Sequence, residues 1–89
     1  MEEWLSRTFL LVGEEALARL QQSHVLVVGV GGVGAYAAEM IVRAGVGRIT
    51  LLDADEVEAS NLNRQLVALC STLGRPKVDV LRQRLLDIN

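Results

Sequence analysis

The residues of this chain able to do chemistry fall into three groups. Glycines stand at 29, 31, 32 and 34 in GVGGVG, which fits G-x-G-x-x-G with Gly32 as one extra glycine. Glycine lets the main chain turn sharply and approach a ligand closely. Where such a turn opens a helix, unpaired N–H groups and the positive end of the helix dipole face a phosphate. Asp53 forms the second group, at about the 20-residue separation where an acidic residue meets a nucleotide ribose. Arg64 and Lys77 form the third. Arg64 carries a fixed fork of donors suited to phosphate. Lys77, the only lysine, falls in the first turn of a predicted helix, where a cation opposes the positive dipole. A bound polyanion would relieve that opposition; a flexible surface lysine is the bland alternative. The glycine pattern alone is equally a tight strand-to-helix turn.

Other candidates are weaker. Asp55, Glu56 and Glu58 crowd near Asp53, and a solvated loop accounts for Glu56 and Glu58. Asp55 stays open between loop and site. Ser60-Asn61-Leu62-Asn63-Arg64-Gln65 is rich in groups that hydrogen-bond backbone and ligand, although Ser60 equally suits the cap of a short helix. Arg7 falls on the polar side of a lead-in helix, where an arginine is ordinarily just solvated. Cys70 is the only cysteine, so no internal disulfide or cysteine metal cluster forms, and it is expected to be a small buried side chain. With one histidine, His24, no Ser-His-Asp set arises; His24 opens the first strand, far from the glycine end, and reads as structural. No Gly-Lys-Ser or Gly-Lys-Thr follows the glycines, so the P-loop pattern is absent.

These residues need a frame. Val25 to Val28 is a short apolar run rich in β-branched residues, expected to be a fully buried parallel strand. A helix follows, with Val33, Ala37, Met40, Ile41 and Ala44 predicted on its inward face, and ends at Gly45. Arg48 to Leu52 is the second strand, which delivers Asp53 at its carboxyl end, beside the glycine turn. Residues 24–53 thus read as a βαβ nucleotide unit. Residues 1–22 form a helical lead-in of two short helices, 3–12 and 14–21, parted by Gly13 as a C-cap. Residues 60–89 comprise the SNLNRQ loop and a helix opened by Pro76, with Val78, Leu81, Leu85 and Ile88 inward and Asp79, Arg82, Arg84 and Asp87 toward water. The fold class is α/β: the N-terminal βαβ half of a Rossmann-like fold behind two short helices.

Size bounds the reading. The chain has 89 residues, 51% of them hydrophobic, and a net charge of -2. A complete doubly wound fold takes about twice that length, and the last residues read as lying inside a helix. The chain is therefore expected to be the N-terminal piece of a longer protein. The small net charge gives no strong footprint for nucleic acid. No apolar run is long enough for a membrane span, and the start lacks a signal peptide's basic region, so the expected location is cytoplasmic.

Taken in order, GxGGxG, AGVGRITLLDAD, SNLNRQ and GRPKV resemble the adenylating domain of the ThiF/MoeB and ubiquitin-activating enzyme superfamily. The resemblance runs from about residue 7 to the end. Within it, RTFLLVGEEAL at 7–17 and NRQLVALCSTLGRPKVDV at 63–80 are similar to the tRNA threonylcarbamoyladenosine dehydratases. The resemblance implies ATP with Mg2+ rather than a nicotinamide. It places Gly29, Gly31, Gly32 and Gly34 against the nucleotide, Asp53 on the ribose with Asp55 beside it, and Ser60, Asn61, Leu62, Asn63 and Arg64 in a nucleotide-contacting loop. It casts Arg64 and Lys77 as catalytic cations on phosphate oxygens, and Arg7 as an arginine reaching across a homodimer to the partner's ATP. The metal-binding aspartate and the substrate surface would lie beyond residue 89. The implied reaction is adenylation of a carboxylate: that of the threonylcarbamoyl group on a tRNA adenosine, or the C-terminus of a ubiquitin-like sulfur carrier protein. The 89 residues alone are expected to be inactive and to self-associate through an exposed strand edge and apolar face. An NAD-dependent dehydrogenase and a non-catalytic nucleotide-binding module are the alternatives of other classes.

Overall fold

The structure is a computed structural model that describes residues 2–89. A 3-10 turn at Glu3–Leu5 leads into helix α1, Ser6–Gln22, which breaks at Gly13 (φ 85°, ψ 171°). The expected pair of lead-in helices is thus present, with glycine supplying the left-handed φ at their junction. Leu5 and Leu17 are the buried residues of this lead-in. Both touch the turn after the second helix: a Cβ on Gly45 would stand 3.2 Å from Leu5 and 3.3 Å from Leu17.

Strands β1, His24–Val28, and β2, Arg48–Leu52, pair in parallel, with Val25 beside Ile49 and Val28 beside Leu52. Helix α2, Gly34–Arg43, makes the crossover between them, and helix α3, Lys77–Leu86, follows the long loop. The ladder runs one step further: Gly29 N–H donates to the Leu52 carbonyl at 2.7 Å. That bond fixes the start of the glycine turn beside the end of β2, and hence beside Asp53.

The core lies on one side of the sheet. Val30, Ala35, Ala38 and Val42 meet Val57, Val67, Ala68, Val80, Leu81 and Leu85, while Val27, Ile49 and Leu51 pack onto this cluster. Full burial of a Leu or Val contributes about 1.5–3 kcal/mol, so Leu81 and Val30, both fully enclosed, are strong anchors.

Four expectations fail here. The β1 strand is not fully buried: Leu26 and Val28 stand exposed, with Leu52 beside them, because α2 and α3 cover only the opposite face. The buried stripe of α2 is Ala35, Ala38, Glu39 and Val42, whereas Val33 and Met40 face outward. The helix has apolar residues on two sides, and α3 selects the side with small residues that permit close approach. Cys70 is exposed, on a 3-10 turn at Cys70–Thr72 whose buried member is Thr72. Helix α3 ends at Leu86, with the Asp87 and Ile88 N–H groups bonded back to Arg84 and Leu85, so the final residues lie outside it.

Candidate nucleotide site

The glycine turn contains two kinds of glycine. Gly29 has φ +85°, which L side chains rarely adopt, and a Cβ on Gly34 would collide with the Gly29 carbonyl. The fold itself requires these two. Gly32 has no heavy atom within 4 Å of a built Cβ, and Gly31 has only ordinary contact, with the Gln65 side chain at 3.5 Å; neither needs a positive φ. Nothing in the chain's own packing demands glycine at 31 or 32. Among the described residues, the N–H groups of Gly31, Gly32 and Val33 donate to no acceptor. The turn therefore offers free donors at the mouth of α2, with the Gln65 side chain packed against Gly31.

Asp53 closes one side. Its Oδ2 accepts from Val30 N–H at 2.9 Å and its Oδ1 from Asp55 N–H at 2.8 Å. The Val30 bond is the main reason its carboxyl is held below the usual aspartate range; the Asp55 bond and the charge of Lys77 act in the same sense, against a burial effect that opposes them. Asp53 is thus an ionised acceptor fixed at the turn.

Lys77 sits behind it. Its backbone N–H donates to the Asp55 carbonyl at 3.0 Å, while its side chain is 7% exposed. The flexible-lysine reading does not hold. The nearest carboxylate, Asp55 Oδ2, is 4.0 Å from Nζ and largely solvated. The stem of Lys77 is packed away while its ammonium keeps a solvated carboxylate as its charge partner. It is held there by the antiparallel bridge of Glu56 to Pro76, which brings the start of α3 against the strand-β2 exit.

The 60–65 loop lies against the same turn through Gln65. A 3-10 turn at Ala59–Asn61 is capped by Asn61, whose Oδ1 accepts from Glu58 N–H at 2.9 Å; Ser60 lies inside the turn and is not its cap. Asn61 is buried, and Leu62, Asn63 and Ser60 are exposed. Arg64 is exposed, its Nη1 donating to Ser60 O at 3.0 Å and Asn63 Oδ1 at 2.9 Å. Its guanidinium is therefore folded onto its own loop, and the structure does not bring it to Lys77. Arg7 stands exposed on α1, outside this cluster. No group of three His, Cys, Asp or Glu able to hold a metal ion occurs among the described residues.

The sequence reading named Gln65 only as a member of the 60–65 stretch and missed Glu39 altogether. Gln65 packs on Gly31, and its Oε1 is buried with no hydrogen-bond partner. Only its place directly after Arg64 signals it. Glu39 is buried in α2 and receives Arg84 Nε from α3, with Arg43 Nε at 3.5 Å. The Glu39–Arg43 spacing of four was its visible signal.

Comparison with known proteins gives this geometry its context. The profile of the ThiF family matches residues 5–89. The tRNA threonylcarbamoyladenosine dehydratase of Bacillus subtilis is 56% identical over 84 residues, covering 94% of this chain and 33% of that protein. The molybdopterin-synthase adenylyltransferase of Escherichia coli is 47% identical over 83 residues, covering 93% of this chain and 32% of that protein. The crystal structure of the E. coli tRNA N6-threonylcarbamoyladenosine dehydratase in complex with ATP superposes with a TM-score of 0.95 at 44% identity, covering 98% of this chain and 36% of that one. The chain thus spans about a third of the length of the relatives it matches. Its mixed α/β fold with a two-strand parallel sheet corresponds to the N-terminal part of their Rossmann-like fold.

Proposed function

Because this chain belongs to the ThiF family, we propose that it supplies the ATP-binding half of an adenylating enzyme, a tRNA threonylcarbamoyladenosine dehydratase. The observation that carries this reading is the pair Gly31 and Gly32, which no feature of the fold requires, in front of three free N–H groups. A bare turn of that kind fits a polyphosphate. Asp53 adds an ionised acceptor for ribose hydroxyls, and Lys77 a cation at the same end of the sheet.

When bound, ATP supplies an electrophilic α-phosphorus and a pyrophosphate leaving group to a substrate carboxylate. The turn N–H groups hold phosphate oxygens and orient them. Asp53 fixes the sugar. Lys77 and, after release from Ser60 and Asn63, Arg64 stabilise the charge that develops on the phosphates. Only two exposed hydrogen bonds hold the Arg64 side chain in its present place. Mg2+ belongs to the same reading as the counter-ion of the phosphates, its protein ligands coming from the longer chain. Arg7, exposed on α1, serves the partner's site in a homodimer. The longer protein acts in the cytoplasm; among the described residues no helix is long and apolar enough to cross a membrane.

Activation of a ubiquitin-like sulfur carrier is the second reading, favoured by the 47% identity to the E. coli adenylyltransferase. Incubating the full-length protein with labelled ATP and either tRNA bearing the threonylcarbamoyl group or a sulfur carrier separates them. AMP formed only with the tRNA supports the dehydratase. Pyrophosphate released only with the carrier, which keeps the labelled adenylate, supports the second reading, and no pyrophosphate with either removes adenylation altogether.

A further inference from the structure

We propose that Gln65 is a positioning residue for nucleotide: it braces the glycine turn against the 60–65 loop and is kept polar for ligand binding at a cost to the fold. The proposal rests on the ATP reading of the same turn. Gln65 is fixed at its backbone, where its N–H donates to Asn61 O at 3.0 Å and its carbonyl accepts from Ala68 N–H at 3.1 Å. Its side chain then reaches across to Gly31. Nε2, Cδ and Oε1 lie 3.5, 3.8 and 3.9 Å from the place a Cβ on Gly31 would occupy. Three such similar distances mean that the amide lies broadside on the glycine α-carbon. It sets how far the turn can settle toward the loop, and so where the free N–H groups of Gly31 and Gly32 point.

The second observation concerns polarity. Gln65 Oε1 is the buried side-chain atom left without a partner among the described residues. A buried acceptor without a donor weakens a fold, and an apolar side chain of the same shape removes that weakness. Packing alone therefore favours leucine or methionine at 65. The atom stands next to a turn whose N–H donors are equally unpaired. The N–H donors are answered by phosphate oxygens in the nucleotide-bound state, and Oε1, an acceptor, by a hydroxyl or amino group of the same nucleotide.

The expected signature is opposite movement of stability and binding. In the full-length protein, Gln65→Leu and Gln65→Met raise or preserve the melting temperature and weaken ATP binding about tenfold by calorimetry. Gln65→Glu keeps the shape, adds negative charge beside the phosphates, and weakens binding further, by an amount that shrinks as salt rises. Gln65→Leu binding ATP as tightly as the unaltered protein would overturn the proposal while leaving the ATP reading intact. Loss of melting temperature in both apolar variants, with binding lost in proportion, would make Gln65 an ordinary structural residue and equally overturn it. Failure of the unaltered protein to bind ATP overturns the site reading and this proposal together.

Discussion

The α2–α3 interface and the glycine turn meet at helix α2, yet they treat polar groups in opposite ways. At the interface, a carboxylate is buried and fully answered: Glu39 takes Arg84 from the facing helix and Arg43 from its own. At the turn, N–H groups of Gly31, Gly32 and Val33 go unanswered, Gln65 Oε1 has no donor, and Lys77 stands 4.0 Å from its nearest carboxylate. Native proteins leave few buried polar groups unpaired. Gln65 Oε1 is one such group beside a turn of open N–H donors, while the neighbouring interface is satisfied, which separates what the fold needs from what a ligand needs.

The comparison is sharpest within the turn itself, and Gly34→Ala gives the largest expected effect. The added methyl meets the Gly29 carbonyl, so urea unfolding should show a loss of about 3 kcal/mol. A loss under about 1 kcal/mol would mean that the turn yields easily and that its shape is not imposed by packing. Next comes the interface. Arg84→Leu leaves Glu39 buried with only the longer contact to Arg43, and should cost about 2 kcal/mol in the same assay. No loss would place the Glu39 charge in solvent.

The interface also has a pH signature. Hydrogen bonding by Arg84, opposed by burial, holds the Glu39 carboxyl below the ordinary glutamate range. A carboxyl depressed in the folded state stabilises above its unfolded pKa, and that stability fades as pH falls through its folded value. Asp53 is depressed for a different reason, the Val30 and Asp55 N–H bonds, and contributes in the same direction. Stability of the chain should therefore fall on acidification below the ordinary carboxylate range. Glu39→Gln should flatten part of that slope and Asp53→Asn a further part. A slope unchanged in both variants would show that neither carboxyl is depressed.

The smallest expected effect on stability is the most informative for function. Gly32→Ala should alter unfolding by no more than about 0.5 kcal/mol, since nothing lies within 4 Å of its added methyl. Its ATP affinity should nonetheless drop about tenfold or more, because on the ATP reading the open space at Gly32 is taken by the nucleotide. Equal affinity would mean the bare turn is not the phosphate site.

Much of this was legible in residue order. The strand–glycine–helix unit, Asp53 at the end of β2 and the Gly13 break all follow from local rules about glycine, β-branching and strand ends, and the structure has them where expected. Tertiary choices were not legible. The apolar stripes of α2 look alike in sequence, and only α3 decides that Ala38 and Glu39 go in while Met40 stays out. The β1 run is apolar throughout, which in a doubly wound fold implies cover on both faces; here the face of Leu26 and Val28 is bare. Lys77 could be read as a flexible surface lysine or as a cation for a bound polyanion, and its depth became visible only with the Glu56–Pro76 bridge. Gln65 was hidden because an unpaired acceptor is a property of surroundings, not of spacing.

The central claim is that ATP phosphates sit on the N–H groups of Gly31, Gly32 and Val33. Selective 15N labelling of glycine and valine in the full-length protein, followed by titration with ATP and separately with NAD, tests it directly. The account predicts that those three amide signals move and saturate with ATP, and that NAD leaves them in place. Saturable ATP binding that leaves all three unmoved, or an equal response to NAD, would contradict it.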